Sequence, residues 1–337
     1  MCQSEEQGSV EGSDGVSADT GQAAGVSHST QATPVPPLVM YLDTLVEQLR
    51  SHIPAALQEF DAVGVHQARV STRRLSAALG LLAPLVSKGD LRALGKLLKK
   101  LRRRLGPHRD LDVLIEHLRE LGEQSPELLP ATDHLGRALA AKREELRVEA
   151  LEEGGVNRAL GRLAVYLDAR EALVAHGLAD EYRPLIAGGV HAGFDEFSVL
   201  SDLLSHQLAE REGLSGIDPH ELRIAGKHLR YSLELAAADG APLPSDVFKD
   251  FKKMQDALGL WHDHVVLAET AILHLSETAL LHRDADLAGT VLSLARDTAG
   301  RAGKHLRDFA DLWTARGAGL TETIRAEFPL SRSVGGQ

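Results

Sequence analysis

Apolar residues recur every three or four positions along most of the chain, which is the spacing of one face of an α-helix. Four segments carry this face most clearly: Leu75, Leu79 and Leu82; Leu94, Leu98, Leu101 and Leu105; Leu222, Ala225, Leu229 and Leu233; and Val247, Phe251, Met254 and Leu258. Leu and Ala dominate, aromatic residues are few, and runs of β-branched residues are short. The sequence therefore predicts an all-α protein.

A basic motif occupies the polar side of two of these predicted helices. The first copy comprises His66, Arg69, Arg73 and Arg74, and the second comprises His220, Arg223, Lys227 and Arg230, followed by Tyr231. An α-helix advances about 100° per residue, so residues three, four and seven positions apart lie on one face. Each helix should therefore pack one side into a core and leave a cationic side open.

Each motif helix is followed by a second predicted helix with a stripe of basic residues opposite its leucines. The stripes are Lys96, Lys99, Lys100 and Arg103 in the first case, and Lys249, Lys252 and Lys253 in the second. After the first stripe, Gly106 and Pro107 predict the end of one helix and the start of another, because Gly favours a helix C-terminus and Pro a first turn.

The two basic regions form an internal repeat. His66 and His220 are 154 residues apart, while Lys99 and Lys252, Lys100 and Lys253, Gly106 and Gly259, and Asp110 and Asp263 are each 153 apart. An almost constant offset over four helices predicts two similar helical bundles related by approximate symmetry.

Changes in composition suggest limits for these parts. Residues 1–37 are predicted to be a disordered acidic tail, since they are polar and contain no Lys or Arg. Residues 38–176 form the first helical half, and residues 194–316 form the second. Residues 177–193 contain Gly and Pro without a sustained period, which predicts a connector. Residues 317–337 are assigned to a C-terminal tail.

The distribution of charge matters more here than its sum. The net charge is −11, yet the stretch Lys96 to Arg109 holds seven Lys or Arg residues and no acidic residue. Residues 1–37, by contrast, hold five acidic residues. The chain is thus predicted to be an acidic molecule with a concentrated basic region.

Several features favour a cytoplasmic location. The single cysteine, Cys2, excludes both a disulfide framework and a cysteine metal site. No basic-then-apolar leader is evident at the N-terminus, and the longest apolar run, near Ser76 to Val86, is too short to span a bilayer. We therefore expect no membrane partner.

Regularly spaced cations on helices suit a chain of phosphates. A helical stripe presents a residue roughly every 5 Å of its axis. Arg offers forked donors to phosphate oxygens, and Lys adds a point charge. His66 and His220 lie near the starts of their helices, where unpaired N–H groups favour anions, although both could instead cap their helices structurally. Asp110 and Asp263 are predicted to support the site by pairing with neighbouring cations.

Two other functions compete with this interpretation. A nucleic-acid-binding module would use similar phosphate contacts, but aromatic residues for stacking are scarce, so nucleic acid is a less favoured partner. A metal-dependent phosphohydrolase is suggested by His262-Asp263, with His264, His220 and Asp256 as further ligands. The equivalent first-half pair is Arg109-Asp110, and Arg is not a metal ligand. No catalytic residue, metal or cofactor is predicted.

These residues together resemble the CHAD family, the conserved histidine α-helical domain. The matching pieces are His66-x-x-Arg69-Val70-x-x-Arg73-Arg74-Leu75, Leu105-Gly106-x-x-Arg109-Asp110-Leu111-Asp112-Val113, His220-x-Leu222-Arg223-Ile224-x-x-Lys227-x-Leu229-Arg230-Tyr231 and Gln255-Asp256-x-Leu258-Gly259. The resemblance covers roughly residues 38 to 316. It implies two pseudo-symmetric four-helix bundles around a basic central channel. It also implies binding of inorganic polyphosphate and localisation to polyphosphate granules, with granule proteins as further candidate partners.

The chain departs from the family pattern in two respects. The family usually has an acidic or polar pair before the second Asp, whereas this chain has Leu260-Trp261-His262-Asp263. Many relatives also carry a triphosphate tunnel domain marked by Glu-x-Glu-x-Lys, and no such motif occurs here. We therefore expect a non-catalytic binding module without triphosphatase activity of its own.

Overall fold

The described residues, 34–152, 155–210 and 218–329 of a computed structural model, contain α-helices and no β-strand. The predicted all-α class is confirmed. Most of the predicted acidic tail and the last eight residues of the predicted C-terminal tail lie outside the described residues. No helix in the described ranges has both the length and the apolar content to cross a membrane.

Eleven helices are present in the described part of the chain, two of them short. They are α1 (Pro37–Pro54), α2 (Ala62–Leu81), α3 (Lys88–Gln124), α4 (Leu129–Glu152), α5 (Val156–Leu163), α6 (Tyr166–Leu178), α7 (Tyr182–Glu210), α8 (Pro219–Ala238), α9 (Ser245–Glu277), α10 (Leu280–Arg283) and α11 (Ala285–Glu327). A π-helical turn, Ala55–Glu59, follows α1 after Pro54.

Short polar side chains begin both motif helices. The carboxylate of Asp61 accepts a hydrogen bond from the backbone N–H of Gly64 at 2.7 Å, which caps α2. The carboxylate of Asp218 accepts one from the backbone N–H of His220 at 2.8 Å, with Pro219 as the first residue of α8. Both caps satisfy N–H groups that a helix start leaves unpaired.

The predicted helix break at Gly106-Pro107 is wrong, because α3 continues through both residues to Gln124. Proline removes one backbone donor and disfavours a helix interior. Leucines on both sides of the break, including Leu101, Leu105 and Leu114, are buried, and their packing holds the helix in one piece.

The predicted connector is also wrong, because residues from Tyr182 onward form the first turns of α7. Tyr182, Ile186 and Val190 are buried at four-residue spacing, a period that the intervening glycines disguise in the sequence. A Cβ atom at Gly189 would lie 2.1 Å from Cδ1 of Leu81, so this glycine allows α2 to pack closely on α7.

The start of the predicted C-terminal tail requires a similar correction. Helix α11 continues to Glu327, eleven residues beyond the predicted limit at 316. Leu320 and Ile324 are buried at four-residue spacing on this extension, and they belong to the main core. The tail prediction therefore fails for residues 317–327, because their apolar face packs like the rest of the helix.

Two apolar cores hold the helices together. The main core draws on α1, α2, the first part of α3, α5 to α8, the first part of α9 and the second part of α11. The distal core joins the remaining parts of α3, α9 and α11 to α4 and α10, through Leu114, Leu118, Leu121, Leu128, Ala131, Leu135, Leu139, Leu267, Ala271, Leu280, Ala288, Val291, Leu294 and Ala295. Each core thus combines residues from both halves of the repeat.

Helices at equivalent positions of the repeat meet each other. Helix α2 contacts α8, α3 contacts α9, and α4 contacts α11. The two motif helices are therefore neighbours, and so are the helices that carry Asp110 and Asp263. This arrangement brings the polar faces of both copies to one place.

Candidate functional site

An open cleft of about 480 Å³ lies where α2 and α3 face α8 and α9. Most of its lining groups are basic or imidazole side chains from both halves of the repeat, and two are carboxylates. The charged and imidazole groups are His66, Arg69, Arg73, Arg109, Asp110, His220, Arg223, His262 and Asp263. The structure therefore brings together motif residues that are 154 positions apart in the sequence.

Arg69 is fixed in this cleft by helix α3. Its Nη1 atom donates a hydrogen bond to the backbone carbonyl of Arg102 at 3.2 Å, and its Nη2 atom forms an ion pair with Oδ1 of Asp110 at 3.5 Å. Burial lowers the pKa of Arg69 and nearby Arg73 lowers it further, whereas Asp110 raises it. Asp110 thus has the supporting contact that the sequence predicts.

Arg223 is the second-half counterpart of Arg69, and it is less fully paired. Its buried Nε atom has no hydrogen-bond partner among the described residues. Burial lowers the pKa of Arg223, Asp263 opposes this effect, and Arg73 from the other half lowers the pKa further. A buried N–H donor without a partner is costly, so an incoming acceptor would relieve that cost.

Lys227 is a predicted site residue that is not among the residues lining the cleft, and burial disfavours its charged form. Burial, followed by the charges of Arg223 and Arg73, lowers its pKa from 10.5 to about 7. The residue is half-buried on α8, one helical turn beyond Arg223. The charges of Arg223 and Arg73 thus add to the effect of burial, and a nearby anion would favour the charged form of Lys227.

Two histidines of the cleft, His66 and His262, have lowered pKa values. Burial and the charge of Arg223 lower the pKa of His262 to about 4. Burial and Arg109 lower the pKa of His66 as well. The rings of His220 and His262 have their centroids 5.2 Å apart. Anion binding would raise these pKa values and convert the rings into cationic donors.

His117 orients the second aspartate from the first half. Its Nε2 atom lies 3.6 Å from Oδ2 of Asp263. The contact with Asp263 raises the pKa of His117, and it lowers the pKa of Asp263 against the effect of burial. Asp263 is therefore supported across the boundary between the halves.

Arg74 and Arg230 are predicted site residues that do not line the cleft. Both are bound to the carboxylate of Glu234, which lies between them. They line a separate pocket of about 700 Å³ between α1, α2, α8 and α9. Tyr231, a further predicted residue, lines neither this pocket nor the cleft, although it lies close enough to raise the pKa values of Arg74 and Arg223.

The lysine stripes are exposed and also lie outside the cleft. Their members are Lys96, Lys99, Lys100, Arg103, Lys249, Lys252 and Lys253. Lys100 lines a small pocket with Arg104, Arg158 and Arg162, while Lys249 and Lys252 line the pocket beside Glu234. Lys253 forms an ion pair with Asp250 at 2.8 Å. A binding role for these residues stays a prediction.

Four residues of the site were not predicted as such: Arg102, Arg109, His117 and His262. Arg109 and His262 occupy equivalent positions of the repeat, directly before the two aspartates, so the 153-residue offset could have identified both. Arg102 and His117 contribute through a backbone carbonyl and a contact across the halves. No pattern in the sequence indicates either contact.

Metal-ligating side chains do not cluster in the described ranges. No group of three or more His, Cys, Asp or Glu residues there is arranged to hold a metal ion. His262 and Asp263, the pair considered for a metal site, instead face Arg223, whose charge lowers the pKa of both groups.

Comparison with known proteins identifies relatives of the chain. The sequence model of the family described as CHAD domain matches residues 40–271, which is more than half of the chain. A crystal structure of the CHAD domain from the plant Ricinus communis is 23% identical, covers 88% of this chain and 92% of its own, and gives a TM-score of 0.49. PptA from Streptomyces chartreusis is 17% identical, covers 83% of this chain and 100% of its own, and gives a TM-score of 0.46. No curated relative matches the chain significantly.

Proposed function

The chain belongs to the CHAD family, and from that premise we propose that it binds inorganic polyphosphate in the cleft between α2, α3, α8 and α9. One observation carries the proposal: cations from both copies of the motif converge on one cleft and outnumber its carboxylates. The family resemblance points to polyphosphate, and the cleft offers the donors that a chain of phosphates requires.

The donors suit an extended anion with repeated charges. Arg69, Arg73 and Arg109 come from the first half, and Arg223 comes from the second, so a linear ligand could contact both. Guanidinium groups bind phosphate oxygens through two parallel N–H donors. Arg69 is already oriented by Arg102 and Asp110, so little side-chain entropy is lost when it binds.

The proposed role is binding and not catalysis. The protein would act in the cytoplasm as a component or scaffold of polyphosphate granules, with polyphosphate as its main partner and granule proteins as further partners. Nucleic acid is a weaker candidate ligand, because only 4% of the residues are aromatic and stacking on bases would be limited.

A comparison of the protein's affinities for two polyanions tests the proposal. We would measure binding of long-chain polyphosphate and of DNA with matched total charge across a salt series. Tight binding of polyphosphate with much weaker binding of DNA is the expected result. Equal affinities would replace the proposal with a general phosphate-backbone binder. Absence of polyphosphate binding by the folded protein would overturn it, and metal-dependent phosphate release would indicate a hydrolase.

A further inference from the structure

The carboxylate of Glu234 lies between two arginines of the motif helices. Arg74 of α2 donates to it through Nε at 2.8 Å and through Nη2 at 3.1 Å, and Arg230 of α8 donates through Nε at 3.0 Å. The Glu234 side chain is only 14% exposed, while those of Arg74 and Arg230 are 30% and 37% exposed. One anion is thus held by two cations from different halves.

This arrangement is the one that a phosphate group would adopt. An oxyanion that accepts two parallel N–H donors from one guanidinium and a third from another has the geometry of arginine–phosphate recognition. Glu234 therefore acts as an internal anion at a position where the protein could otherwise bind a ligand phosphate.

The Glu234 cluster lies next to the cleft. Arg73 lines the cleft and lowers the pKa values of Lys227 and Arg102. Arg74 is the next residue along α2 and contacts Glu234. Tyr231 raises the pKa values of both Arg74 and Arg223, so it lies within electrostatic range of both sites. Arg73 in the cleft is therefore followed directly on α2 by Arg74, which lines the neighbouring pocket together with Arg230.

The internal anion occurs in only one copy of the repeat. With the 154-residue offset of the motif helices, the position equivalent to Glu234 is Gly80, which is exposed near the end of α2. The repeated helix itself therefore does not require an acidic residue at the position of Glu234. Its contacts lie between the helices α2 and α8.

We propose that Glu234 is a specificity-determining residue that sets where a bound polyphosphate chain ends. The inference rests on the proposed function and deepens it. A chain in the cleft reaches Arg73, but its next phosphates meet a carboxylate that already occupies Arg74 and Arg230. Short chains fit within the cleft, and long chains gain nothing from these two arginines.

Glu234→Gln is the direct test, because it removes the charge and keeps the shape. We would measure affinity for tripolyphosphate and for long-chain polyphosphate by calorimetry, over a salt series. Long-chain affinity should rise by about tenfold, since two charged donors become available. The salt slope should steepen by about 0.7 for each additional phosphate charge that the protein neutralises. Tripolyphosphate affinity should change little.

Glu144→Gln is the matched control. Glu144 is exposed on α4 and pairs with Arg147 on the same helix, so this variant has the same change in net charge at a site that does not line the cleft. An equal rise in long-chain affinity in both variants would overturn the inference, and so would an unchanged ratio of long-chain to tripolyphosphate affinity in Glu234→Gln. Failure of the wild-type chain to bind either ligand would instead overturn the proposed function.

A second pair of variants covers the case in which Glu234→Gln does not fold. Arg73→Gln and Arg74→Gln change neighbouring residues with the same chemistry. If Glu234 occupies Arg74, long-chain binding should fall about tenfold in Arg73→Gln and less than about twofold in Arg74→Gln. Comparable losses in both variants would show that Arg74 already binds ligand and would contradict the inference.

Discussion

The guanidinium of Arg69 lies against the backbone of Gly106. A Cβ atom at Gly106 would stand 2.9 Å from Nη1 of Arg69, closer than side chains normally approach. Gly106 thus leaves space for Arg69 of α2 to reach the backbone carbonyl of Arg102, which lies on α3 together with Gly106. Gly106 therefore determines the position of the Arg69 guanidinium, although the glycine itself has no charge.

Gly106→Ala is therefore expected to weaken polyphosphate binding without unfolding the protein. The new methyl group pushes the Arg69 guanidinium away, while the helix gains about 0.5–1 kcal/mol from replacing glycine. Gly259→Ala is the matched control, because a Cβ there meets nothing within 4 Å. Calorimetry and thermal melts should show lower affinity only in Gly106→Ala. Equal affinities in the two variants would contradict the assigned role of Arg69.

Lys227→Met is expected to stabilise the fold at neutral pH. Because the folded pKa of about 7 is below the ordinary 10.5, the unfolded chain binds a proton that the folded chain does not throughout that interval. The free energy of unfolding therefore rises with pH between those values. Below pH 7, the folded protein bears the full cost of the charged Lys227. The gain in Lys227→Met should be largest at pH 7 and below and disappear as the pH approaches 10.5.

Urea unfolding of both proteins at several pH values measures this difference. Each unit of pKa depression corresponds to about 1.4 kcal/mol, so the effect is large enough to observe. Lys249→Met, on an exposed face of the same bundle, should change stability by less than about 0.5 kcal/mol. A Lys227→Met variant that is less stable than wild type at pH 7 would show that the surroundings of Lys227 do not disfavour its charged form.

Polyphosphate binding should strengthen as the pH falls from 7 toward 5. His262 has a pKa of about 4 in the free protein, and a bound anion raises that pKa. Protonation is then linked to binding, so affinity increases as the pH falls through the pKa of the bound state. His262→Gln should show a flatter profile, whereas the exposed His282→Gln should follow wild type. Superimposable profiles for the three proteins would place His262 away from the ligand.

Phe197→Ala is expected to destabilise the whole fold. Phe197 is completely buried on α7, and its ring meets those of Phe251, Phe309 and Trp313 edge-on. Truncating a buried Phe costs about 3–5 kcal/mol. Val199→Ala, exposed on the same helix, should cost less than about 0.5 kcal/mol. A loss below 1 kcal/mol in Phe197→Ala would contradict this aromatic cluster.

The sequence predicted the all-α class because helical spacing is a short-range pattern, and the internal repeat related the two basic faces to each other. Helical spacing placed His66, Arg69 and Arg73 on one face, and the offset of the repeat paired them with the second copy. The structure brings those faces into one cleft.

Tertiary packing decided what the sequence did not predict. Gly106-Pro107 and the glycines before Gly193 look like helix ends locally, but buried neighbours keep α3 and α7 continuous. The pairing of Glu234 with Arg74 joins residues 160 positions apart, and no spacing rule anticipates it. The lysine stripes have the same helical spacing as the cleft residues, but they lie on exposed faces outside the cleft, which the spacing alone does not reveal.

The most direct test of the cleft compares two double variants that each remove two cations. Arg69→Gln/Arg223→Gln changes the cleft, and Lys96→Gln/Lys253→Gln changes exposed residues of the stripes. Polyphosphate affinity across a salt series should fall on the order of a hundredfold in the arginine variant. It should fall by less than about threefold in the lysine variant. An equal or larger loss in the lysine variant, with both proteins folded, would show that polyphosphate binds outside the cleft.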